Sequence, residues 1–297
     1  MAVDPSSHSF DGYLIDLRHA LSVDHSYLLD LYDVFAQEAR FGRRWLDTSL
    51  STLPKGSEIL EVGGGLMLLS AELQREGYEV TALEPIGVGF SAFTELQELV
   101  VAFARHRGHA PTVLRLRVED LDVKGSFDFA FSVNVMEHVD SVPKALIKVI
   151  DALRQPGIYR FTCPNYAFPY EPHFNIPTLF SKALTEHIFS RNIFNSSRVA
   201  DPAGMWASLN WISVRTISRA LAATPGGEAR FDRTILRDTL LRVTADEQFA
   251  SRRSSWVRGL AQLLVACGVH HMFARLPASV LPIIDCSVSR TSGLTGA

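Results

Sequence analysis

The stretch Glu58-Ile59-Leu60-Glu61-Val62-Gly63-Gly64-Gly65-Leu66-Met67-Leu68 decides the fold. Glu58 to Val62 reads as a short apolar strand, the three glycines as a sharp turn, and Leu66 to Gly77 as a helix with Gly77 its stop signal. A strand that turns abruptly into a helix leaves backbone N–H groups unpaired at the helix start. Residues without side chains let a ligand approach that backbone closely.

Outward from this turn the alternation continues. Strands are expected over Tyr78 to Leu83, Val113 to Val118, Phe127 to Val133 and Gly157 to Cys163, with helices over Phe90 to Arg107 and Ser141 to Leu153 between them. Phe127 to Val133 is almost wholly apolar, as a strand buried on both faces would be. Pro143 falls in the first turn of its helix, where proline is tolerated. Strands alternating with helices of this length imply right-handed βαβ units. The expected fold is therefore α/β: a Rossmann-like, mainly parallel seven-stranded sheet flanked by helices, with a helical/loop lid and a C-terminal extension. Upstream, residues 13–50 read as helical, with Leu28, Leu31, Tyr32 and Phe35 at three- and four-residue spacing. Downstream, residues 164–211 are rich in Pro, His, Asn and aromatics, among them Phe168, Phe174, Phe180, Phe189, Phe194, Trp206 and Trp211, and read as a long irregular lid. Val214 to Ala223 returns to helix, closed by Pro225-Gly226-Gly227. Ala229 to Leu236 and Ile283 to Val288 are the sixth and seventh strands, with helical sequence over Asp238 to Leu276 between them. The chain thus divides into a helical segment (1–52), a ligand-binding core (53–165), a lid or acceptor segment (166–212) and a part completing the sheet (213–297).

Composition sets bounds. The chain has 297 residues, 47% hydrophobic and 21% charged, which is ordinary for a globular protein and enough for a large core. The formal charge of −3 lacks the basic surplus of a nucleic-acid binder, although Arg105-His106-Arg107 and Arg252-Arg253 are local cationic runs. Cys163, Cys267 and Cys286 are odd in number and contain no C-x-x-C pair, so neither a disulfide framework nor structural zinc is expected, and a reducing compartment fits. The N-terminus shows no secretory pattern, and no apolar run reaches spanning length, so a cytoplasmic protein is expected.

The glycine turn suits a dinucleotide pyrophosphate or the sugar and amino-acid portions of S-adenosylmethionine (SAM). A dinucleotide fingerprint needs glycine at position 68, where Leu68 stands, which also speaks against a nicotinamide-dependent oxidoreductase. Glu61, two residues before the first glycine, can attract an ammonium group and would do little for a pyrophosphate. Glu61-Val62-Gly63-Gly64-Gly65 resembles motif I of class I SAM-dependent methyltransferases, with Met67 at the position of that motif's third glycine. The resemblance extends in order along residues 55–165. It implies that Glu84, ending the second strand, holds both ribose hydroxyls, and that Glu119-Asp120 meets the adenine amino group. It further implies that Asn134-Val135-Met136-Glu137-His138-Val139 lines the methyl-transfer site, as in the ubiquinone-biosynthesis-like branch. The cofactor set it implies is Glu61, Gly63, Gly64, Gly65, Glu84, Glu119, Asp120 and Asn134.

Methyl transfer from a sulfonium is an in-line displacement in which alignment and exclusion of water supply most of the catalysis. An oxygen acceptor also needs a base. His138 follows the fourth strand, at the carboxyl edge where open α/β sheets bind ligands. Tyr170, Glu171 and His173 lie together in a proline-stiffened loop after the fifth strand. That loop resembles one carried by bacterial methyltransferase-like proteins associated with glycan or lipid pathways. Each of the two histidines reads equally as a structural residue, His138 at a helix start and His173 capping a loop. His187 reads as structural, and His270-His271 have no carboxylate at ligand spacing, so no metal is expected.

In the tail, Trp256, Leu260, Leu263, Leu264 and Cys267 fall near one helical face flanked by Arg252, Arg253 and Arg258. Such a stripe serves a peripheral membrane contact, a core or a homodimer contact. The function expected is SAM-dependent methyl transfer, at oxygen, to a small-molecule, glycan or lipid-linked acceptor. The alternative is a non-catalytic SAM-fold scaffold, for which Met67 is the argument.

Overall fold

The computed structural model describes residues 9–85, 91–179, 181–199, 201–224, 227–245, 247, 250 and 255–290. Phe90, Phe180, Pro225, Gly226, Arg252 and Arg253 lie outside the described residues, as does the side chain of Trp256.

The chain forms two compact units. The first comprises residues 1–133 and 151–157. It contains α1 (Phe10–Asp24), α2 (Leu29–Leu50), β1 (Glu58–Val62), α3 (Leu68–Arg75), β2 (Glu79–Leu83), α4 (Ala92–His106), β3 (Thr112–Leu114) and β4 (Phe127–Val133). The expected N-terminal helix is two helices, parted at His25 by a short 3₁₀ turn. Tyr32, Ala36, Ala39, Leu46 and Leu50 recur on the buried face of α2. Gly42 lies on that face too, and a Cβ there would stand 2.7 Å from Leu69 Cδ2, so the missing side chain lets α2 close onto α3. The Tyr32 hydroxyl donates to Leu14 O at 2.7 Å and ties α2 to α1.

β1 pairs in parallel with β2 and β4, and β2 with β3. β3 is much shorter than the expected Val113 to Val118. The pairing with β2 runs to Leu83 opposite Leu114, with one further bond from Glu84 N to Leu114 O at 3.1 Å. Residues Val118–Asp120 turn instead into a 3₁₀ helix.

The second unit comprises residues 134–150 and 158–297. Its helices are α5 (Val142–Ala152), α6 (Lys182–Phe194), α7 (Pro202–Ser208), α8 (Val214–Ala222), α9 (Ile235–Ala245), α10 (Ser255–Ala266) and α11 (His270–Phe273). The remaining strands are β5 (Leu153–Pro164), β6 (Gly227–Asp232) and β7 (Ile283–Arg290). β7 runs antiparallel to both β5 and β6. Fully buried Tyr159, Phe161, Cys286 and Val288 alternate with outward residues along β5 and β7. Arg160 on β5 forks onto Asp285 on β7, Nη2 to Oδ2 at 2.8 Å.

Within residues 164–211, α6 and α7 form the helical part of a helical/loop segment, more regular than the sequence there suggests. Each of these helices starts at a side-chain cap: Ser181 accepts from Leu184 N, and Asp201 accepts from Gly204 N. The sixth strand ends at Asp232 rather than Leu236, since Asp232 Oδ1 accepts from Thr234 N at 2.7 Å and turns the chain into α9.

The seven strands are hydrogen-bonded in the order β3-β2-β1-β4-β5-β7-β6, which is the expected α/β, mainly parallel sheet. Among the described residues no helix is long and apolar enough to cross a membrane.

Candidate functional site

The glycine turn after β1 is held from both sides. Gly63 N and Gly64 N donate to Leu83 O at 2.8 and 3.0 Å, and Gly65 N donates to Glu84 Oε2 at 2.8 Å. Gly63 and Gly65 have φ of 74° and 53°, the left-handed region that glycine enters without strain. Gln97 on α4 reaches in from below, its Nε2 donating to Gly65 O, while Arg115 donates to Gln97 Oε1. Glu84 therefore lies where the sequence sets it, at the end of β2 against the glycine backbone. Burial raises its carboxyl pKa against the lowering effects of the Gly65 N–H and Arg115.

Met67, at the third-glycine position, also has a left-handed backbone, with φ of 63°. Its side chain is fully buried. A Cβ on Gly64 would fall 2.6 Å from Met67 Sδ and 3.1 Å from Ala82 Cβ. The thioether thus fills the space beneath the turn, and the absent side chain at Gly64 is what accommodates it.

Glu61 is 5% exposed and hydrogen-bonds Ser70 on α3. Burial pushes its carboxyl up to about 8, the Ser70 contact lowering and the nearby Glu84 raising it. Glu119 is buried in the 3₁₀ turn after β3, while Asp120 is exposed beside Arg117 at 3.1 Å.

The second constellation follows β4 and β5. Asn134 is exposed, with φ of 55°, and its backbone N donates to Thr162 O. The turn that follows brings Glu137, fully buried, beside His138, whose Nε2 is 3.9 Å from Glu137 Oε1. His173 comes from the loop after β5, its ring 5.5 Å from that of His138 and edge-on to it. Glu171, fully buried, holds His173 Nδ1 at 2.6 Å and accepts from Phe174 N and from the Tyr166 hydroxyl. Burial works to raise the Glu171 carboxyl, but the His173 bond and charge outweigh it and the net shift is downward. Burial depresses His138 to about 4, helped by the neighbouring His173 and opposed by Glu171. Tyr170 stands apart from this group: it is 40% exposed and donates to Asn175 Oδ1 at 2.9 Å.

The hydrogen bonds fix the ring tautomers. Ser208 spends its hydroxyl proton on Met205 O at 2.8 Å, so it accepts from His138 Nδ1, also at 2.8 Å. An ionised Glu171 can only accept, so His173 Nδ1 carries the proton there. In both neutral rings Nε2 is then the lone-pair nitrogen.

Two contributors are not signalled by the sequence. Ser208 orients His138 from the end of α7. Asn210 clamps the Glu137 turn: Nδ2 donates to Met136 O and Val139 O at 2.8 Å, and the backbone N donates to Glu137 O. About seventy residues separate each from its partner. The lid aromatics pack rather than solvate: Trp206 lies edge-on to Phe174 and Trp211, and Trp211 stacks on Tyr166.

A methyltransferase-domain family profile matches residues 34–224. An uncharacterized protein of Mycobacterium tuberculosis is 42% identical over 280 residues, 94% of each chain. A ubiquinone biosynthesis O-methyltransferase of Rickettsia conorii is 27% identical over 101 residues, 34% of this chain and 32% of that protein. Among solved structures, a SAM-dependent methyltransferase of Mesorhizobium loti superposes with a TM-score of 0.50 at 17% identity, covering 81% of this chain and 94% of that one. A Haemonchus contortus phosphoethanolamine N-methyltransferase bound to SAM gives 0.51 at 14% identity, over 93% and 60%. With the glycine turn, the sheet order and the profile in agreement, the chain belongs to the class I SAM-dependent methyltransferase-domain family.

Proposed function

We propose that the protein transfers a methyl group from SAM to a hydroxyl oxygen of a small-molecule acceptor, with glycan and lipid-linked alcohols in the same chemical class. The observation that carries this reading is the Glu171–His173 pair at 2.6 Å, set edge-on to His138. A buried carboxylate that fixes Nδ1–H leaves Nε2 as the proton acceptor, the arrangement that an alcohol acceptor needs and an amine acceptor does not. The C–S bond breaks as the C–O bond forms, the hydroxyl proton passes to His173 Nε2, and S-adenosylhomocysteine leaves. His173 is the base in this scheme, Glu171 its positioning residue, and His138 orients the acceptor. Local similarity to ubiquinone biosynthesis O-methyltransferases supports an oxygen acceptor.

For the cofactor, Glu84 receives the ribose hydroxyls and Glu61 the ammonium. The glycine backbone (Gly63, Gly64, Gly65) receives the body of the nucleoside, with Glu119 and Asp120 at the adenine amino group and Asn134 toward the methyl-transfer end. Calorimetric titration with SAM and with S-adenosylhomocysteine tests this assignment. Loss of two carboxylate hydrogen bonds in Glu84→Ala is expected to weaken binding about 100-fold. Unchanged affinity in that variant would sink the ribose assignment. A panel of alcohol and amine acceptors, read by S-adenosylhomocysteine release, then tests the acceptor class. Turnover of alcohols only, lost in His173→Gln, supports the reading; turnover of amines that survives His173→Gln overturns it.

A further inference from the structure

We propose that Glu137, His138 and His173 form a binding site for a first-row divalent transition-metal ion. One ligand atom from each residue lies within 4.8 Å of the other two. Two imidazoles and one carboxylate are a donor set for Zn²⁺, Co²⁺, Fe²⁺ or Mn²⁺ rather than for Mg²⁺ or Ca²⁺, which take oxygen ligands. Three protein ligands leave a coordination position open for a further oxygen.

The tautomers carry the argument. Both rings are anchored through Nδ1, His138 by Ser208 at 2.8 Å and His173 by Glu171 at 2.6 Å. Each therefore offers the Nε2 lone pair, the form in which a histidine ligates a metal. A carboxylate or hydroxyl holding the other ring nitrogen is the outer arrangement that fixes metal-binding histidines. His138 Nε2 is already 3.9 Å from the Glu137 carboxylate. Two lone-pair nitrogens gathered with a carboxylate repel one another, and a shared proton or a cation relieves that repulsion. Atoms bonded at about 2.1 Å to a tetrahedral ion stand about 3.4 Å apart, so the three groups need to contract by little more than an ångström. The His138 and His173 side chains are 27% and 23% exposed, which provides a route of entry, while Glu137 is fully buried. Asn210 and Glu171 hold the two backbone segments that carry the ligands.

The site stands on this geometry alone. Its use, holding and acidifying the acceptor hydroxyl through the open position, rests on the alcohol-acceptor reading above. The metal and a proton on the imidazoles exclude each other, so in the loaded protein the acceptor hydroxyl bound at the open position would lose its proton to solvent water, and the metal rather than His173 would stabilise the resulting oxyanion.

The test is titration of the full-length protein, stripped with chelator, with Co²⁺ followed by its visible absorption and with Zn²⁺ by calorimetry. One ion per chain is expected, with Mg²⁺ failing to displace it. His173→Gln and Glu137→Gln are expected to weaken binding at least 100-fold, and Glu171→Gln, which touches only a ligand, about 10- to 100-fold. Circular dichroism checks that each variant folds. His173→Gln, at a partly exposed position, keeps the test valid if Glu137→Gln does not fold. Absence of stoichiometric binding, or binding unchanged in His173→Gln, overturns the site. Stoichiometric binding without turnover of any alcohol leaves the site standing and counts against the acceptor reading. Alcohol methylation undiminished after exhaustive chelation, with no binding, does the reverse.

Discussion

At the scale of single residues, Met67 shows how a departure from a family pattern can be absorbed. A glycine enters the left-handed backbone region without strain, and Met67 adopts that backbone with its side chain buried beneath the turn. Removing a buried methionine side chain costs about 2–5 kcal/mol, and relief of the left-handed strain returns about 1–2. Met67→Gly, which restores the family residue, is therefore expected to lower stability to urea by about 1–3 kcal/mol without tightening SAM binding. A stability gain would mean that the thioether is not packed as described. The departure was visible in the sequence, but the burial of its side chain was not, because that depends on Gly64 and Ala82 leaving room for the sulfur.

At the scale of elements, close approach and clamping do the positioning. Gly42 lets α2 meet α3, with Leu69 at 2.7 Å from the position of a Cβ. Gly42→Val is expected to lower the melting temperature through overpacking of about 1–3 kcal/mol, against the few tenths of a kcal/mol that its better helix propensity returns. The turn after β4 depends instead on Asn210, which satisfies the carbonyls of Met136 and Val139. Asn210→Ala leaves those acceptors without their donors and is expected to cost about 2–4 kcal/mol. It should also lower alcohol methylation more than SAM affinity, a split that kinetics and calorimetry can measure separately. Element boundaries were legible where the sequence pattern was local. β4 spans Phe127–Val133 as its apolar run dictates, and α5 begins beside Pro143 as a proline in a first turn allows. β3 was misjudged because a strand needs a partner, and where β2 stops cannot be read from residues 113–118. In the tail, the stripe on α10 is exposed at Leu260 and Leu263 while Ala261 is buried, which speaks against the core alternative for those two leucines and not against the surface ones.

At the scale of the whole molecule, buried carboxyls make stability depend on pH. Glu61 titrates near 8 in the folded chain and near its ordinary 4.5 when unfolded, so the folded state holds the extra proton between these values. The stabilisation is complete below the unfolded value and is lost as pH rises through the folded one. Between pH 4 and 6.5 the depressed His138 acts in the opposite sense, which leaves about pH 6.5 to 8 as the window in which Glu61 dominates. Across that window the cofactor-free protein is expected to lose about 2 kcal/mol, and Glu61→Gln should flatten the decline. A flat profile in the unsubstituted protein would show that Glu61 is already ionised. The order of strand, glycine turn, acidic strand end and post-strand histidine was determined by the sequence itself, since each signal lies within a few consecutive residues and follows from apolar periodicity and backbone freedom. The tertiary structure alone decided which nitrogen each histidine presents, that Glu137 and His173 gather with His138, and that Ser208 and Asn210 serve that group. Those facts depend on contacts between residues tens of positions apart, where packing rather than local pattern sets which side chains meet.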